Sequence, residues 1–393
     1  MLGDTKKFAV VSLGCKVNRA EVDSYSARLI SEGWAMSGVE DAKLVIINTC
    51  TVTSVADKKT RQTVRKVCAE TSAEKIIVTG CAAAIDAEIY KAMDSRIEII
   101  SKRNMQEASA ESFKILAGDD FRSRAAIKIQ DGCNNACTYC IVHTARGPAW
   151  SMPHKYVEER VHAMIDAGIR EIVLSGVDIG AYRDGNFGLE DLCESLLGII
   201  GSRLARIRIS SIEPNNVSSR LIQIIKAADG KICRHLHMPL QSGSSRVLSE
   251  MHRKYSAQDF YELCNKMRNE IPELALSTDI IVGFPGETDE DFSQSIDLAK
   301  ACKFMKIHVF PYSKRQGTPA ADREDQVADD VKAARASELR HLSDALAQQD
   351  LQSRRGSEEF VLCENEKQAR TESYHIIPSP EGAKAGDLLK VQL

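Results

Sequence analysis

Cys133, Cys137 and Cys140 stand in one short loop, Asp131-Gly-Cys-Asn-Asn-Ala-Cys-Thr-Tyr-Cys-Ile-Val-His143. The spacing of three residues and then two brings three thiolates to a common point and supplies no fourth. A [4Fe–4S] cube held by three cysteines keeps one iron open, and an open iron binds a further, substrate-like ligand. Zinc is the competing reading. A structural zinc site takes four ligands, and His143, three residues beyond Cys140, completes a Cys3His set. Three buried core cysteines are the ordinary alternative, and the polar company of Asp131, Asn134, Asn135 and Thr138 argues against them.

A second triplet emerges from the elements that precede this loop. Phe8–Leu13, Leu44–Asn48 and Ile76–Thr79 read as continuous apolar strands. They alternate with helices, one capped by Asn18 and running to Glu32, the next from Ser54 to Glu70. That alternation, from Lys7 to residue 117, predicts a parallel, doubly wound sheet. Cys15 follows the first strand in Leu13-Gly-Cys-Lys-Val-Asn18, Cys50 the second in Asn48-Thr-Cys, and Cys81 the third in Thr79-Gly-Cys. In such sheets the ligand crevice lies beyond the carboxyl ends of the strands. One cysteine there is an ordinary buried thiol; three at equivalent positions read as a second set of cluster ligands.

Gly118–Arg124 reads as a linker, and beyond it strand-like runs recur at Ala126–Gln130, Glu171–Leu174, Arg206–Ile209, His235–Met238, Thr278–Val282 and Ile307–Phe310. Helical stretches such as Tyr156–Ala167, Ser218–Ala228, Ala257–Glu270 and Glu290–Ala301 separate them. Six strand–helix units predict a partial (β/α)6 barrel with its functional groups on the carboxyl-side loops. The cysteine loop follows the first of these strands. Ser175-Gly-Val-Asp, Ser210-Ser-Ile-Glu-Pro214, Pro239-Leu-Gln-Ser-Gly243 and Gly283-Phe-Pro-Gly-Glu287 follow later ones. Turn chemistry accounts for many of their glycines and prolines. Glu213, between Ile212 and Pro214, is a candidate acceptor for a ribose diol. After a charged helix (Val331–Asp350), the runs Phe360–Leu362, Tyr374–Ile377 and Leu388–Leu393 predict a small antiparallel β domain packed on its neighbour.

At 393 residues the chain has room for two or three domains, and 43% hydrophobic with 27% charged residues fits a soluble globular protein. No apolar run is long enough to span a bilayer, and the start lacks a signal-peptide core, so a cytoplasmic protein is expected. In that reducing compartment the twelve cysteines are ligands or buried thiols rather than disulfides. Cys68, Cys193, Cys233, Cys264, Cys302 and Cys363 read as small hydrophobes. A net charge of −3 offers no global attraction to nucleic acid, so an RNA partner needs a local basic patch.

Together these motifs resemble the radical S-adenosylmethionine methylthiotransferases over nearly the whole chain. Tyr312-Ser-x-Arg-x-Gly-Thr318 completes the series. The resemblance implies a methylthiotransferase domain in residues 1–117, a radical domain in 118–349 and an RNA-gripping TRAM-like domain in 350–393. It implies two [4Fe–4S] clusters, with Cys133, Cys137 and Cys140 holding the one that cleaves S-adenosylmethionine, and Cys15, Cys50 and Cys81 holding an auxiliary one. Ser175 and Gly176 are then expected at the methionine amino group and Glu213 at the ribose. Gln241 and Arg253 are further candidate cofactor contacts; the ordinary reading of Arg253 is a solvated surface side chain.

The loop Gly14-Cys-Lys-Val-Asn18 and the run Ala56-Asp-Lys-Lys-Thr-Arg61 are similar to the branch that acts on N6-threonylcarbamoyladenosine beside the tRNA anticodon. The alternatives are isopentenyladenosine in tRNA and an aspartate of a ribosomal protein. Ala136, His143 and Gly147-Pro-Ala-Trp-Ser151 depart from the family pattern. The implied partners are the tRNA anticodon loop and an electron donor, with no membrane. Lys58, Arg61 and Arg65 share a helix face, and Arg354, Arg355, Lys367 and Lys384 form a diffuse second basic set. RNA held there would bind more weakly as salt rises. An iron–sulfur electron carrier and a zinc-dependent RNA-binding protein are the non-enzymatic alternatives.

Overall fold

A computed structural model describes residues 6–51, 53–100 and 124–393. The expected linker lies outside the described residues except for Arg124. The described chain forms two compact units. One takes the residues up to Ile100 together with Asp131–Asn135 and Cys140–Trp150; the other takes Arg124–Gln130, Ala136–Tyr139 and Ser151–Leu393.

The first unit is built on five parallel strands, β1 (Lys7–Ser12), β2 (Ala35–Met36), β3 (Leu44–Thr49), β4 (Lys75–Gly80) and β5 (Ile97–Ile99), in the order β2-β1-β3-β4-β5. The register Val10↔Ile46↔Ile77 aligns the β-branched runs side by side. Alternate residues of β3 enter two separate cores. Val45 and Ile47 pack with Val64 and Val67 of α2 (Ser54–Glu70) and Tyr90 of α4 (Ala87–Lys91), whereas Leu44 and Ile46 pack with Leu29 of α1 (Lys16–Ser31). A strand covered on both faces must be apolar throughout, which is why β3 shows no alternation.

Helix α2 begins as read, with the Thr53 hydroxyl accepting from the Ala56 amide. Helix α1 corrects the reading of Asn18 as a cap. Cys15 holds the cap position, and Asn18 sits inside the first turn with its amide donating to the Leu13 and Thr49 carbonyls, each at 2.9 Å. The short helices α3 (Cys81–Ile85) and α5 (Val142–Arg146) also belong to this unit.

The second unit carries six parallel strands: β6 (Arg124–Lys128), β7 (Glu171–Ser175), β8 (Arg206–Ile209), β9 (His235–His237), β10 (Ala275–Val282) and β11 (Lys306–Pro311). Two three-stranded sheets, β8-β7-β6 and β9-β10-β11, are joined through the bridges Ile207↔Ile232 and Ser211↔His237. The result is the expected partial barrel. Its helices are α6 (His154–Asp166), α7 (Leu189–Ile200), α8 (Ser219–Ala227), α9 (Ser245–Glu250), α10 (Ala257–Glu270), α11 (Asp289–Ala301) and α12 (Asp329–Ser353). Among the described residues no helix is long and apolar enough to cross a membrane.

The chain ends in four antiparallel strands, β12 (Glu358–Cys363), β13 (Gln368–Thr371), β14 (Ile376–Pro378) and β15 (Leu388–Gln392), ordered β14-β13-β12-β15. Tyr374 falls in a turn at φ +78° rather than in a strand, so β14 starts two residues later than the sequence suggests. This sheet docks at the amino ends of the barrel strands. Arg206 donates to the Phe360 and Arg370 carbonyls, Arg208 to those of Thr371 and Glu372, and the fully buried Glu171 pairs with both guanidiniums. The opposite, carboxyl ends are left for a site.

Candidate functional site

In the first unit the three cysteines stand where adjacent parallel strands end. Cys15 follows β1, Cys50 follows β3 and Cys81 opens α3 directly after β4. The register Thr49↔Gly80 places the last two ends level. Gly14 has φ +112°, and a Cβ there would lie 2.9 Å from Cys50 Cβ and 3.1 Å from its Sγ. Glycine before Cys15 therefore lets the first loop press against the second. Two asparagines bind these loops together. Asn18 donates to Leu13 and Thr49, and Asn48 donates to the Asn18 carbonyl at 2.9 Å and to Glu21 at 3.2 Å. Cys50 and Cys81 are buried and Cys15 is exposed.

Arg146, at the end of α5, is the cation of this cluster, and the sequence reading missed it. Its side chain is buried, with Nη1 donating to Asp131 at 2.6 Å and Glu21 at 3.1 Å, and Nη2 donating to Asn18 at 2.6 Å. Burial works against its charge, but Cys81, Glu21, Asp131 and Cys15 around it outweigh that effect and raise its pKa well above the ordinary guanidinium value. The buried cation thus stands beside two of the three cysteines and offsets the negative charge gathered around it. The chain-order signal was only the Arg-Gly pair after Cys140.

Two other sulfurs of this unit accept from backbone amides. The Asn135 amide donates to Cys133 Sγ and the Val142 amide to Cys140 Sγ, each at 3.4 Å. Amide hydrogen bonds to sulfur are a protein's means of stabilising cluster thiolates. Gly132, at φ +69°, lies so close to the Pro148 carbonyl that a Cβ would collide with it, and Cys133 donates its amide to Gly147 at 3.1 Å. Both cysteine sets therefore fit iron–sulfur ligation in donor type and surroundings.

In the second unit Cys137 Sγ accepts from Arg253 Nη1 at 3.2 Å, and Arg253 Nη2 pairs with the Glu213 carboxylate. The structure thus brings together three residues singled out from the sequence. Arg253 is buried, which removes its reading as a solvated surface residue. Its Nε donates to the Tyr255 hydroxyl at 3.0 Å, and that hydroxyl donates to the Pro239 carbonyl at 2.5 Å. Burial pushes the Glu213 carboxyl above its ordinary value, against the pull of Arg253.

Asp178, a further missed residue, accepts from the Glu213 amide at 3.3 Å and from Asn216 at 2.9 Å. Burial raises its pKa as well. Ser175 closes β7 and Gly176 opens the turn after it, which Gln130 secures by accepting from the Val177 and Asp178 amides at 2.9 Å each. Gln241 is buried at φ +70°, with its amide on the Asp279 carbonyl and its carbonyl taking the Ile281 amide. Glu213→Gln is expected to raise the S-adenosylmethionine concentration needed for half-maximal cleavage about tenfold while leaving iron content unchanged, because an ionic acceptor is lost and no thiol is touched. An unaltered concentration dependence would make Glu213 a structural carboxylate.

The basic residues divide. Lys58 and Arg65 are exposed on α2, whereas Arg61 pairs with Asp57 at 2.5 Å. Arg354 leaves the second basic set. It is buried against Asp350 at 2.7 Å and Glu359 at 3.0 Å, and it donates to the Glu273 carbonyl. Arg355, Lys367 and Lys384 remain exposed.

Comparison with known proteins agrees with this arrangement. The model of the Radical SAM superfamily matches residues 127–299, and that of Uncharacterized protein family UPF0004 matches residues 7–101. A Bacillus subtilis protein named threonylcarbamoyladenosine tRNA methylthiotransferase MtaB is 40% identical, over 86% of this chain and 80% of its own length. A Pelotomaculum thermopropionicum tRNA-2-methylthio-N(6)-dimethylallyladenosine synthase is 31% identical, over 92% of this chain and 87% of its own length. Among solved structures, the radical S-adenosylmethionine methyltransferase TsrM of Kitasatospora setae, with cobalamin and a [4Fe–4S] cluster bound, shares the fold. Its TM-score is 0.62 at 12% identity, over 81% of this chain and 77% of that one. The extent and identity of these matches leave one conclusion: the chain belongs to the radical S-adenosylmethionine methylthiotransferase family.

Proposed function

We propose that this protein is a tRNA methylthiotransferase that converts N6-threonylcarbamoyladenosine next to the anticodon into its 2-methylthio derivative. The observation that carries the reading is the presence of two separate cysteine triplets, one at the strand ends of the doubly wound sheet and one after the first barrel strand. A single radical reaction needs only one such set; inserting sulfur into the substrate gives the second a purpose. Family membership sets aside the electron-carrier and zinc readings. The choice of substrate is supported by the greater identity to the relative named for threonylcarbamoyladenosine, 40% against 31% for the one named for dimethylallyladenosine. The loop Gly14-Cys-Lys-Val-Asn18 supports the same branch.

The reacting position is an aromatic C–H bond that no side-chain acid or base can open. When bound, S-adenosylmethionine and the two [4Fe–4S] clusters supply hydrogen abstraction from that carbon and the methylthio group that replaces it. The chain's own residues hold and orient. Cys133, Cys137 and Cys140 would ligate the cleaving cluster, and Cys15, Cys50 and Cys81 the auxiliary one. Ser175 and Gly176 would meet the methionine amino group and Glu213 the ribose hydroxyls, with Arg253 and Gln241 completing the cofactor wall. Arg253 fixes Glu213 and leans on Cys137, so it couples the ribose acceptor to a cluster ligand.

The same reading assigns residues 1–117 to a methylthiotransferase domain, 118–349 to the radical domain and 350–393 to a TRAM-like RNA-binding domain. It calls for an electron donor and a cytoplasmic location, where tRNA is found. Single-stranded RNA loops present splayed bases whose edges a protein can reach, as an anticodon-loop adenine requires. Deleting the gene should remove 2-methylthio-N6-threonylcarbamoyladenosine from bulk tRNA and leave its unthiolated precursor, read by nucleoside mass spectrometry. Persistence of that nucleoside, with loss of the isopentenyl analogue or of methylthio-aspartate on a ribosomal protein, would reassign the branch.

A further inference from the structure

The barrel strands carry a further cluster, apart from the residues proposed for the cofactor. His237 closes β9, Asp279 lies on β10 and His308 on β11. The register pairs Asp279 directly with His308, and His237 with Ser277 two residues before Asp279. All three therefore stand on one pleat. The opposite pleat, with Leu236, Thr278, Ile280 and Ile307, is buried on the helix side, where Ser343 of α12 accepts from the Ile307 amide. The trio lies between the amino-end layer, where His235 stacks on Tyr374, and Gln241 toward the carboxyl end.

His237 Nε2 is 3.3 Å from Asp279 Oδ1, the two imidazole rings are 5.6 Å apart by their centroids, and one donor atom from each residue lies within 4.8 Å of the others. Among the described residues no lysine or arginine pairs with Asp279; its ion-pair partner is the His237 imidazole. The other face of that ring is committed. His237 Nδ1 and His235 Nε2 each lie 3.0 Å from the Ser277 hydroxyl. When His237 donates through Nδ1 to that hydroxyl, its Nε2 lone pair is turned toward Asp279 and is available to a cation between them. A hydrogen bond fixing the far nitrogen of an imidazole is also the usual support of a metal-ligating histidine.

We propose that His237, Asp279 and His308 form a binding site for a first-row divalent cation of the zinc class, separate from both cysteine sets. Two histidines and a carboxylate on one face are a ligand set that such ions favour, at bond lengths of about 2.0–2.2 Å. Rotation of the exposed His308 ring closes the three donors onto one ion, whose remaining positions face the open side of the sheet and take an oxygen ligand.

The test is zinc binding by the full chain with both clusters reconstituted. Wild type, His308→Ala, Asp279→Asn and Ser277→Ala are dialysed against buffered zinc chloride, and zinc and iron are measured per chain at matched iron content. Wild type should hold one zinc more than His308→Ala and Asp279→Asn, and Ser277→Ala should bind it about 10–100-fold more weakly. His308 is exposed, so its replacement removes little buried surface, and Asp279→Asn, which keeps the side-chain shape, is the second check. Equal zinc in wild type and His308→Ala, or none in wild type, would overturn the site and leave a hydrogen-bonded polar cluster.

Discussion

Replacing Cys133, Cys137 and Cys140 together by Ala is expected to halve the iron of the reconstituted protein, from about eight to about four per chain, and to abolish cleavage of S-adenosylmethionine. The loss should be complete because only a cluster with an open iron brings the cofactor and its electron together. The matching replacement of Cys15, Cys50 and Cys81 is also expected to halve the iron, yet to retain cleavage to 5′-deoxyadenosine while methylthiolation disappears. This asymmetry separates the two roles. The amide donors on Cys133 and Cys140, the Arg253 contact on Cys137, and the Arg146 charge beside Cys15 and Cys81 are the contacts that motivate this expectation. Full iron retention in either triple variant would overturn the ligand assignment, and iron is read by colorimetric assay without reference to activity.

Glu171→Ala is expected to lower stability more than any surface substitution. Glu171 is fully buried, with Oε2 accepting from Arg206 Nε at 2.7 Å and Oε1 from Arg208 Nε at 2.9 Å. Removing the carboxylate leaves two guanidiniums buried without their counter-charge, a change that typically costs about 3–5 kcal/mol. For a unit of this size each kcal/mol moves the melting temperature by about 2–4 °C, so a fall on the order of 10 °C is expected in a thermal melt. The same guanidiniums hold the terminal sheet through the Phe360, Arg370, Thr371 and Glu372 carbonyls. Limited proteolysis should therefore release that sheet first. An unchanged melt and an unchanged digestion pattern would show that hydrophobic packing alone fixes it.

Acid should not reproduce this effect under mild conditions. Burial pushes the Glu171 carboxyl up, but Arg208 and Arg206 outweigh it and hold the pKa below the ordinary carboxylate range. The stabilisation is present above the unfolded-state pKa and is lost only as pH falls through the depressed folded value.

The strand–helix alternation, the six barrel strands and both cysteine triplets were legible in order along the chain. Their signals are local: apolar runs of strand length, a helical period between them, three cysteines each one to three residues past a strand end, and three more closely spaced in the loop after the first barrel strand. The two-residue strand Ala35–Met36 and the three-residue Ile97–Ile99 escaped because they are too short to show a period. Gln368–Thr371 escaped because its composition is polar and only its pairing with β12 makes it a strand. Asn18 looked like a helix cap because its residue type favours caps. The folded chain instead offers it two carbonyls from neighbouring strand ends, a stronger use for a buried amide.

Which polar residues act together was decided only by tertiary structure. Arg146 meets Asn18 and Glu21 across more than a hundred residues of chain, and Arg253 meets Cys137 across 116 residues and Glu213 across 40. Arg354 carries the composition of an RNA contact and is spent instead on Asp350 and Glu359. His237, Asp279 and His308 are unremarked singly and become a set through strand register alone. Sequence sets which groups a segment can present, because side-chain period and turn chemistry act over a few residues. Burial and register, which require the whole fold, determine which of those groups meet and which charges must find a partner.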